Sequence, residues 1–447
     1  MCDTIVFRRN DTTLFAKNSD REPGEAQLVV RIPPAFHKTT NKTAATHIAI
    51  NQADRSHGVL LSKPFWTWGA EMGANDKGVV IGNEAVFTRV MEKTDGLIGM
   101  DLVRLGLERG DTARHALQVI TQLLEAHGQG GICGYRDRRF RYDNSFIIAD
   151  ACEAWVLETA GRHWAARRAG DFAAISNCLT IGADYDMVSS GIESYARKKR
   201  LLKGNGPLNF RETFEAPLMP LLAKSRSRMD ASLRCIRKLL SLPDTDIKAD
   251  LSGAMEILRF HRNRDQSPAK GSNADICMHA AGPIRRSQTC GSMVSAIGSE
   301  RCIHLLTGTS APCLSVFKPV QATGDRSCYV LNPDERSVEN SLWRRFEPVH
   351  RHALFSDSTR RELRGTAKQA ESEMLTALEY YYTSGNQSAM NAAEDPVRQW
   401  TEKKIKSFSK KPFQYPFSLY GRFWKRMNRA DNLTIPERRS PKEKIRQ

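Results

Sequence analysis

The fold of this chain is decided by its first 21 residues, MCDTIVFRRNDTTLFAKNSDR. Residues 2–7 and 12–16 are two short runs of β-forming side chains, and the polar residues 9–11 between them are typical of a turn. This pattern predicts a β-hairpin that holds the start of the chain inside a sheet. The second strand runs into the polar residues 17–21, which strand pairing would bring back beside Cys2.

Cys2 is the candidate nucleophile of this hairpin. We expect Met1 to be removed, which would leave a thiol and a free α-amine on one residue, the arrangement of a self-contained N-terminal nucleophile. An α-amine has an ordinary pKa of about 7.7–8.0, so near neutral pH part of it could accept the thiol proton. The carboxylate of Asp20 is the candidate to hold the amine. A cysteine at position 2 alone is more often without function, so the prediction depends on its neighbours.

Several stretches of the chain resemble the secernins and their related bacterial dipeptidases. The first is Cys-Asp-Thr at residues 2–4 with KNSDR at 17–21. The others, in order, are DICMHA at 275–280, SQTCGSM at 287–293, PCLSVFKP at 312–319 and LWRR at 342–345. The resemblance spans roughly residues 1 to 400. It implies an α+β fold of the N-terminal nucleophile hydrolases, a four-layer αββα sandwich, and a cysteine-type dipeptidase that needs no cofactor and no metal.

Candidate oxyanion donors follow from the chemistry and from this resemblance. Attack of a thiolate on an amide builds negative charge on the carbonyl oxygen, and a preorganised donor there is worth roughly 3–4 kcal/mol. Asn83 and Asn177 each end a predicted strand and look like the paired asparagines of distantly similar acylases. Capping of a turn is the alternative explanation for either one. We predict both in the site.

Two cations are further candidates. Lys17 matches the secernin pattern at a position where the distant acylases carry an arginine, and we predict that it binds substrate. A second arginine is expected after residue 222, and it is either Arg226 or Arg228, with the better local match at Arg228. An ordinary surface arginine is the alternative.

The order of predicted elements favours two sheets between helix layers. Strands are predicted before residue 90, at 145–176 and at 289–320; helices are predicted at 97–109, 112–127, 187–202, 229–240, 248–261 and beyond residue 341. We expect a hydrolase domain at 1–340, appended helices at 341–400 and a basic tail at 401–447.

The net charge of +17 is concentrated in this tail. Residues 401–447 hold fourteen lysines and arginines against four acidic residues, a net +10, so the body is only mildly basic. Aromatic side chains alternate with cations from residue 413 to 426. Such a segment binds nucleic acid or an anionic membrane in some proteins, but aromatics that pack back on the body explain the same residues.

The ten cysteines include no Cys-x-x-Cys pair, so their spacing predicts neither a zinc site nor a disulfide framework. Cys277 and His279 could share one face of a strand as a catalytic pair, although core packing explains them better. No phosphate loop, His-Glu-x-x-His or Gly-x-Ser-x-Gly motif occurs. The lack of a long apolar run and of a signal sequence predicts a cytoplasmic protein.

These residues predict a cysteine-type dipeptidase acting on small peptides. Cys2 would attack the peptide carbonyl, its amine would carry the proton to the leaving group, and Asp20 would orient that amine. Two alternatives stay open: an acylase or amidase with the same machinery, and a catalytically silent secernin-like adaptor or trafficking protein. A homo-oligomer is possible.

Overall fold

A computed structural model describes residues 1–38, 40–202, 206–243, 246–263, 267–323, 329–331, 338–409, 411–412 and 414–433. The last fourteen residues of the predicted basic tail lie outside these ranges. The strands are β1 Cys2–Arg9, β2 Thr12–Arg21, β3 Gln27–Ile32, β4 Ala35–Phe36, β5 Lys42–Ala44, β6 Ala49–Asn51, β7 Arg55–Ser56, β8 Val59–Pro64, β9 Met72–Asn75, β10 Val80–Val86, β11 Asp143–Ala149, β12 Ala154–Ala160, β13 His163–Arg168, β14 Phe172–Ile175, β15 Met187–Val188, β16 Gln288–Ile297, β17 Cys302–Leu306 and β18 Lys318–Pro319. The helices are α1 Gly99–Arg109, α2 Ala113–His127, α3 Ile192–Lys198, α4 Phe210–Phe214, α5 Leu218–Leu222, α6 Ser225–Leu240, α7 Ile247–Leu258, α8 Leu342–Phe355, α9 Asp357–Ser384, α10 Gln387–Ala392, α11 Glu394–Phe408 and α12 Leu419–Ala430.

The N-terminal hairpin lies at the centre of a six-stranded antiparallel sheet in the order β14-β1-β2-β16-β17-β18. β1 and β2 pair from Cys2 opposite Ser19 to Arg9 opposite Thr12, so the predicted hairpin is confirmed. Neighbouring strands lie on both sides of it, and almost every residue of both strands is buried. The start of the chain is therefore held by strand pairing rather than left free at the surface.

A second antiparallel sheet of eight strands lies against the first, in the order β15-β13-β12-β11-β10-β9-β8-β3. Because side chains alternate along a strand, Val6 and Phe15 point into the layer between the sheets, where they meet Val80 and Ile147. The outer face of β1 instead carries Ile5 and the other side chains that meet helices.

Helices cover both outer faces. α1 and α2 bury a leucine-rich face against the second sheet, and α6, α7, α8, α9 and α11 share one hydrophobic cluster with the first sheet. Helix, sheet, sheet and helix follow one another through the molecule, so the predicted αββα sandwich is confirmed.

Two predicted elements differ from the structure. The predicted helix over 187–202 is wrong at its start, because Met187 and Val188 form β15 at the edge of the second sheet and α3 begins only at Ile192. The end of the predicted strands at 289–320 is also different. Residues 312–314 form a turn of 3-10 helix, and β18 holds only two residues. Pro312 and Pro319 explain this, since proline cannot donate to a strand ladder.

The described part of the tail packs on the body. Trp424 of α12 is fully buried, and the guanidinium of Arg351 lies 4.2 Å from its ring centroid. After α12, Asp431 forms an ion pair with Arg136 and lies so close to Gly24 that a side chain there would overlap it. Trp424 and Asp431 of the tail therefore pack on the body, whereas Phe417 is fully exposed.

Candidate active site

Cys2 is buried at the first position of β1. Its Sγ lies 3.2 Å from the backbone nitrogen of Asp20, which donates to it, and 4.0 Å from Oε2 of Glu71. Its backbone nitrogen donates to Oδ1 of Asn177 at 2.9 Å. The thiol and the nitrogen of residue 2 therefore each form a hydrogen bond with a defined partner.

The environment of Cys2 raises the pKa of its thiol well above the ordinary value. Burial is the largest cause; the charge of Lys17 lowers the pKa, and the carboxylates of Glu84 and Glu71 raise it. At neutral pH the thiol therefore keeps its proton in this state. A nucleophile in this position needs a proton acceptor during the attack.

Asp20 follows Ser19, the partner of Cys2 in the hairpin, and its side chain turns to the helix-covered face. Its Oδ1 accepts from the hydroxyl of Thr289 at 2.6 Å. Its Oδ2 is buried and has no hydrogen-bond partner among the described residues. The Met1 ammonium lies close by and donates to the Asp20 backbone oxygen at 3.1 Å. Asp20 thus keeps one buried carboxylate oxygen available beside the chain start.

Burial raises the pKa of the Asp20 carboxyl to about 7, although the N-terminal ammonium opposes this shift. Nearby Asp3 raises it further, and the hydrogen bond from Thr289 lowers it. The protonation state of this carboxyl therefore changes near neutral pH.

Arg228 of α6 forms hydrogen bonds with several residues near the chain start. It is fully buried, its Nε donates to Oδ2 of Asp3 at 2.9 Å, and its Nη2 donates to Oδ1 of Asn177 at 2.6 Å and to Oγ of Ser176 at 2.8 Å. Arg226 instead pairs with Glu215 and is about half exposed, with 47% of its side-chain surface accessible. Of the two candidate arginines, the structure brings Arg228 to the chain start.

Asn177 is oriented differently from a free oxyanion donor. Its Oδ1 faces the Cys2 nitrogen and Arg228, whereas its Nδ2 donates to the backbone oxygen of Ala85 at 2.8 Å. Its contact with Cys2 is therefore made by the acceptor end of the amide. In this arrangement Asn177 holds the nitrogen of residue 2.

Asn83 lies within β10 rather than at its end, and its side chain faces the helix layer. Its Nδ2 donates to Oδ1 of Asn144 at 3.1 Å, below the first residue of α1, Gly99. The adjacent residues of β10 face the other sheet, as the contact of Glu84 with Lys17 shows. The structure therefore brings the backbone of Asn83, but not its side chain, toward the layer that contains the Cys2 thiol.

Lys17 is fully buried between the sheets on the face that also carries Cys2. Its Nζ lies 3.1 Å from Oε1 of Glu84 and donates to the backbone oxygen of Asn83 at 2.6 Å. Burial by itself lowers the pKa of Lys17, but interaction with the thiolate form of Cys2 and with the carboxylates of Glu84 and Glu71 raises it above the ordinary value. Lys17 therefore acts on Cys2 as a fixed positive charge.

Sequence reasoning missed Glu71. This carboxylate is near the thiol, and Arg21 orients it, with Nη1 3.1 Å from Glu71 Oε1. Arg21 also pairs with Glu25 at 2.6 Å. Arg21 belongs to the KNSDR stretch, but Glu71 lies in none of the stretches that resemble the secernins. Only the pairing of β9 and β10, at the start of which Asn83 N donates to Glu71 O at 3.1 Å, brings it here.

Residues 13–218 match the model of Peptidase family C69. This match confirms the resemblance predicted from the motifs, and it covers Lys17, Asp20, Asn83 and Asn177 but neither Cys2 nor Arg228. It supports a hydrolase of amide bonds.

Two solved structures are also similar to this chain. A penicillin V acylase from Agrobacterium tumefaciens matches at 10% identity and a TM-score of 0.42, over 72% of this chain and 86% of that one. The C2A mutant of a conjugated bile acid hydrolase from Clostridium perfringens matches at 10% identity and a TM-score of 0.44, over 73% of this chain and 95% of that one. The assignment of the fold rests on the two sheets and their helix layers.

Within the described ranges, no helix is long and apolar enough to cross a membrane.

Proposed function

We propose that this protein is a cysteine-type dipeptidase that uses Cys2, exposed by removal of Met1, as an N-terminal nucleophile. The observation that carries the proposal is the arrangement around residue 2. Its nitrogen is held by Asn177, which Arg228 orients, and Asp20 offers a buried oxygen that has no hydrogen-bond partner in the described part of the chain. A thiol of raised pKa needs a proton acceptor, and in this proposal the fixed nitrogen of the same residue supplies it once Met1 is removed.

The Cys2 amine takes the place of a separate histidine base in this mechanism. It accepts the thiol proton as Sγ attacks the scissile carbonyl carbon, and the resulting ammonium is held by Oδ1 of Asn177 and the carboxylate of Asp20. The tetrahedral intermediate collapses when this ammonium gives its proton to the leaving amine. Water then attacks the thioester carbonyl while the amine accepts a proton from that water. The C–S bond breaks, the acyl product leaves as a carboxylic acid, and the ammonium returns its proton to the Cys2 thiolate.

The charge that develops on the carbonyl oxygen needs donors. The backbone N–H of Asp20 already points at Sγ, and the Lys17 ammonium adds a positive charge on the same face. Asn83 stays a predicted donor; its side chain lies on the helix-covered face of β10, so it would have to leave Asn144 and move to the other face of the strand when substrate binds. The amide of Asn177 serves as an acceptor for the amine in this scheme.

The proposed substrate class rests on the match to a peptidase family and on the motif resemblance. A cytoplasmic location would suit a peptidase of small peptides. The experiment that tests the function compares dipeptides with N-acyl amides, with release of product amine as the readout. Turnover of dipeptides supports the proposal. Turnover of acyl amides alone would show that the protein is an acylase. If protein shown to lack Met1 turns over neither substrate, the adaptor function is the one that remains.

Cys2→Ser tests the nucleophile, because it keeps the amine and replaces the thiol with a far weaker acid and nucleophile. We expect activity to be nearly lost while the fold is kept. Cys302→Ser, a partly buried cysteine on β17, is the matched control and should keep the wild-type rate.

An uncleavable tag ahead of Met1 tests the base, since it keeps the thiol and converts the amine of residue 2 into an amide. The rate should fall by roughly 100-fold or more. A folded, unprocessed tagged protein with the wild-type rate would show that Cys2 is not an N-terminal nucleophile.

A further inference from the structure

A second cluster of reactive side chains lies on the helix-covered side of the first sheet. His261, Cys277, His279 and Cys313 each place one potential ligand atom so that all four atoms lie within 4.8 Å of one another. The last three residues are buried and His261 is half-buried. The cluster is separate from the Cys2 thiol, which faces the second sheet.

The spacing of these atoms is close to that of a tetrahedral zinc site. With Zn–S near 2.3 Å and Zn–N near 2.0–2.1 Å, the edges of such a tetrahedron are about 3.3–3.8 Å. Sγ of Cys313 lies 3.4 Å from Nε2 of His279, already within this range. The 4.8 Å limit on the other pairs leaves at most about 1.5 Å of contraction, which side-chain rotation can supply.

Among the described residues, one ring nitrogen of each histidine of the cluster lacks a hydrogen-bond partner, whereas Sγ of Cys313 contacts Nε2 of His279. Nε2 of His261 and Nδ1 of His279 are buried without a hydrogen-bond partner in the described part of the chain. The two imidazole rings stack with centroids 5.2 Å apart and an interplanar angle of 13°. Two thiols and one imidazole buried beside a half-buried imidazole are a costly arrangement for core packing, but they are a suitable donor set for a soft or borderline cation.

Backbone and side-chain contacts fix the three segments that carry the ligands. The nitrogen of Cys277 donates to the oxygen of Phe260 at 3.2 Å, which ties the segment of Cys277 and His279 to the residue before His261. Arg259 donates to the oxygen of Pro312 at 2.9 Å, which ties the end of α7 to the turn that carries Cys313. Glu371 on α9 holds the same arginine at 2.6 Å. The four ligands are therefore preorganised by their surroundings.

We propose that His261, Cys277, His279 and Cys313 form a closed Cys2His2 site for one zinc ion. Four protein ligands leave no open position, which is the arrangement of a structural rather than a catalytic site. The ion would lock the end of α7, the segment before β16 and the turn after β17 together. The proposal does not rest on the function proposed for Cys2.

The site is also linked to Asp20. Cys277 and His279 flank Met278, whose nitrogen donates to Oγ1 of Thr289 at 2.8 Å, and the Thr289 hydroxyl donates to Asp20 at 2.6 Å. Zinc would thus fix the segment that orients this carboxylate.

The test is the metal content of the full-length protein, purified under reducing conditions and freed of any affinity tag. We expect about one zinc ion per chain when the metal content is measured by inductively coupled plasma mass spectrometry. Cobalt added alone to the chelator-stripped protein should produce thiolate-to-metal charge transfer and the strong visible bands of tetrahedral cobalt. Zinc should displace these bands, and removal of zinc should lower the Tm.

Variants locate the site. Cys277→Ser and Cys313→Ser should each lose the bound zinc, whereas Cys302→Ser should keep it. Cys2→Ser should also keep it, which excludes a metal held by the N-terminal thiol and amine. If neither ligand variant folds, His261→Asn decides the question, because that half-buried side chain is the one whose replacement perturbs the core least.

The proposal is overturned if the wild-type protein binds neither zinc nor cobalt, or if zinc is kept by folded Cys277→Ser and Cys313→Ser. A disulfide between Cys277 and Cys313 in freshly purified, metal-free protein would also overturn it. These readouts do not depend on hydrolysis, so they separate this site from the activity of Cys2.

Discussion

Replacement of Arg228 with methionine tests the buried charge network of the site most directly. Arg228 and Asp3 form an ion pair with 0% and 1% of their side-chain surfaces exposed, and the variant leaves the Asp3 carboxylate without its cation. Breaking a buried pair from one side costs about 3–5 kcal/mol. Solvent does not screen this pair, and Asn177 and Ser176 lose a donor as well. We therefore expect a loss of about 3–5 kcal/mol in the free energy of unfolding.

The matched control lies two residues earlier on the same helix. Arg226 pairs with Glu215 at the surface, and exposed ion pairs are worth about 0–1 kcal/mol, so Arg226→Met should be nearly neutral. Urea unfolding at pH 7 measures both variants. Adding Asp3→Asn to Arg228→Met removes the unpaired charge, and we expect the two changes to be coupled by about 0.5–3 kcal/mol.

The pH dependence supplies a second readout. Burial raises the pKa of Asp3, and Arg228 opposes that shift. Without Arg228 the pKa in the folded state rises further, so the folded state binds more protons than the unfolded state between the two pKa values. Stability of the variant should then fall as pH rises through this range, and its deficit should be larger at pH 8 than at pH 5. A deficit below about 1 kcal/mol at both pH values would refute the reasoning.

Three further predictions concern other parts of the structure. Asp20→Asn should lower kcat more than about tenfold, each tenfold being ~1.4 kcal/mol of barrier. It should also remove an acidic limb near pH 7 from the pH–rate profile, because only ionised Asp20 holds the ammonium. An unchanged pH–rate profile would leave Asp20 without this role. Gly99→Ala should destabilise the fold by about 1–3 kcal/mol in urea unfolding, because its Cβ would overlap the side-chain amide of Asn144 and lie 2.6 Å from Nδ2 of Asn83. Gly365→Ala on α9, with open space around it, should be neutral or stabilising by up to about 1 kcal/mol, and equal effects of the two changes would contradict the packing at α1. Trp424→Ala should cost about 3–5 kcal/mol, since that ring is fully buried, and a loss below about 1 kcal/mol would mean that α12 does not contribute to the fold.

The hairpin and the place of Asp20 beside Cys2 could be predicted because they depend on local pattern. Alternating runs and a polar turn set the register, and the register puts Ser19 opposite Cys2. The two sheet-rich blocks and their helices also follow from local periodicity. The edge strand β15 could not be predicted, because two residues become a strand only when β13 is beside them.

The direction of each site side chain depends on neighbours that are distant in sequence. Asn83 lies on the expected strand, but the packing of β10 between α1 and the first sheet decides which face it takes, and its side chain joins Asn144. Arg226 and Arg228 look alike in sequence, yet two residues turn a helix by about 200°, so one lies at the surface and the other in the core.

The sequence by itself determined the N-terminal hairpin and the candidate nucleophile, since these depend on contacts between near neighbours, and the order of its predicted elements indicated the layers. Only the tertiary structure decided which charges surround Cys2 and which residues meet at the second cluster. The spacing from His261 to Cys277, His279 and Cys313 matches no metal motif, because the loop after α7, the loop before β16 and a turn of 3-10 helix supply the ligands. Their proximity comes from the packing of α7 and α9 on the first sheet, and that packing depends on the whole folded core.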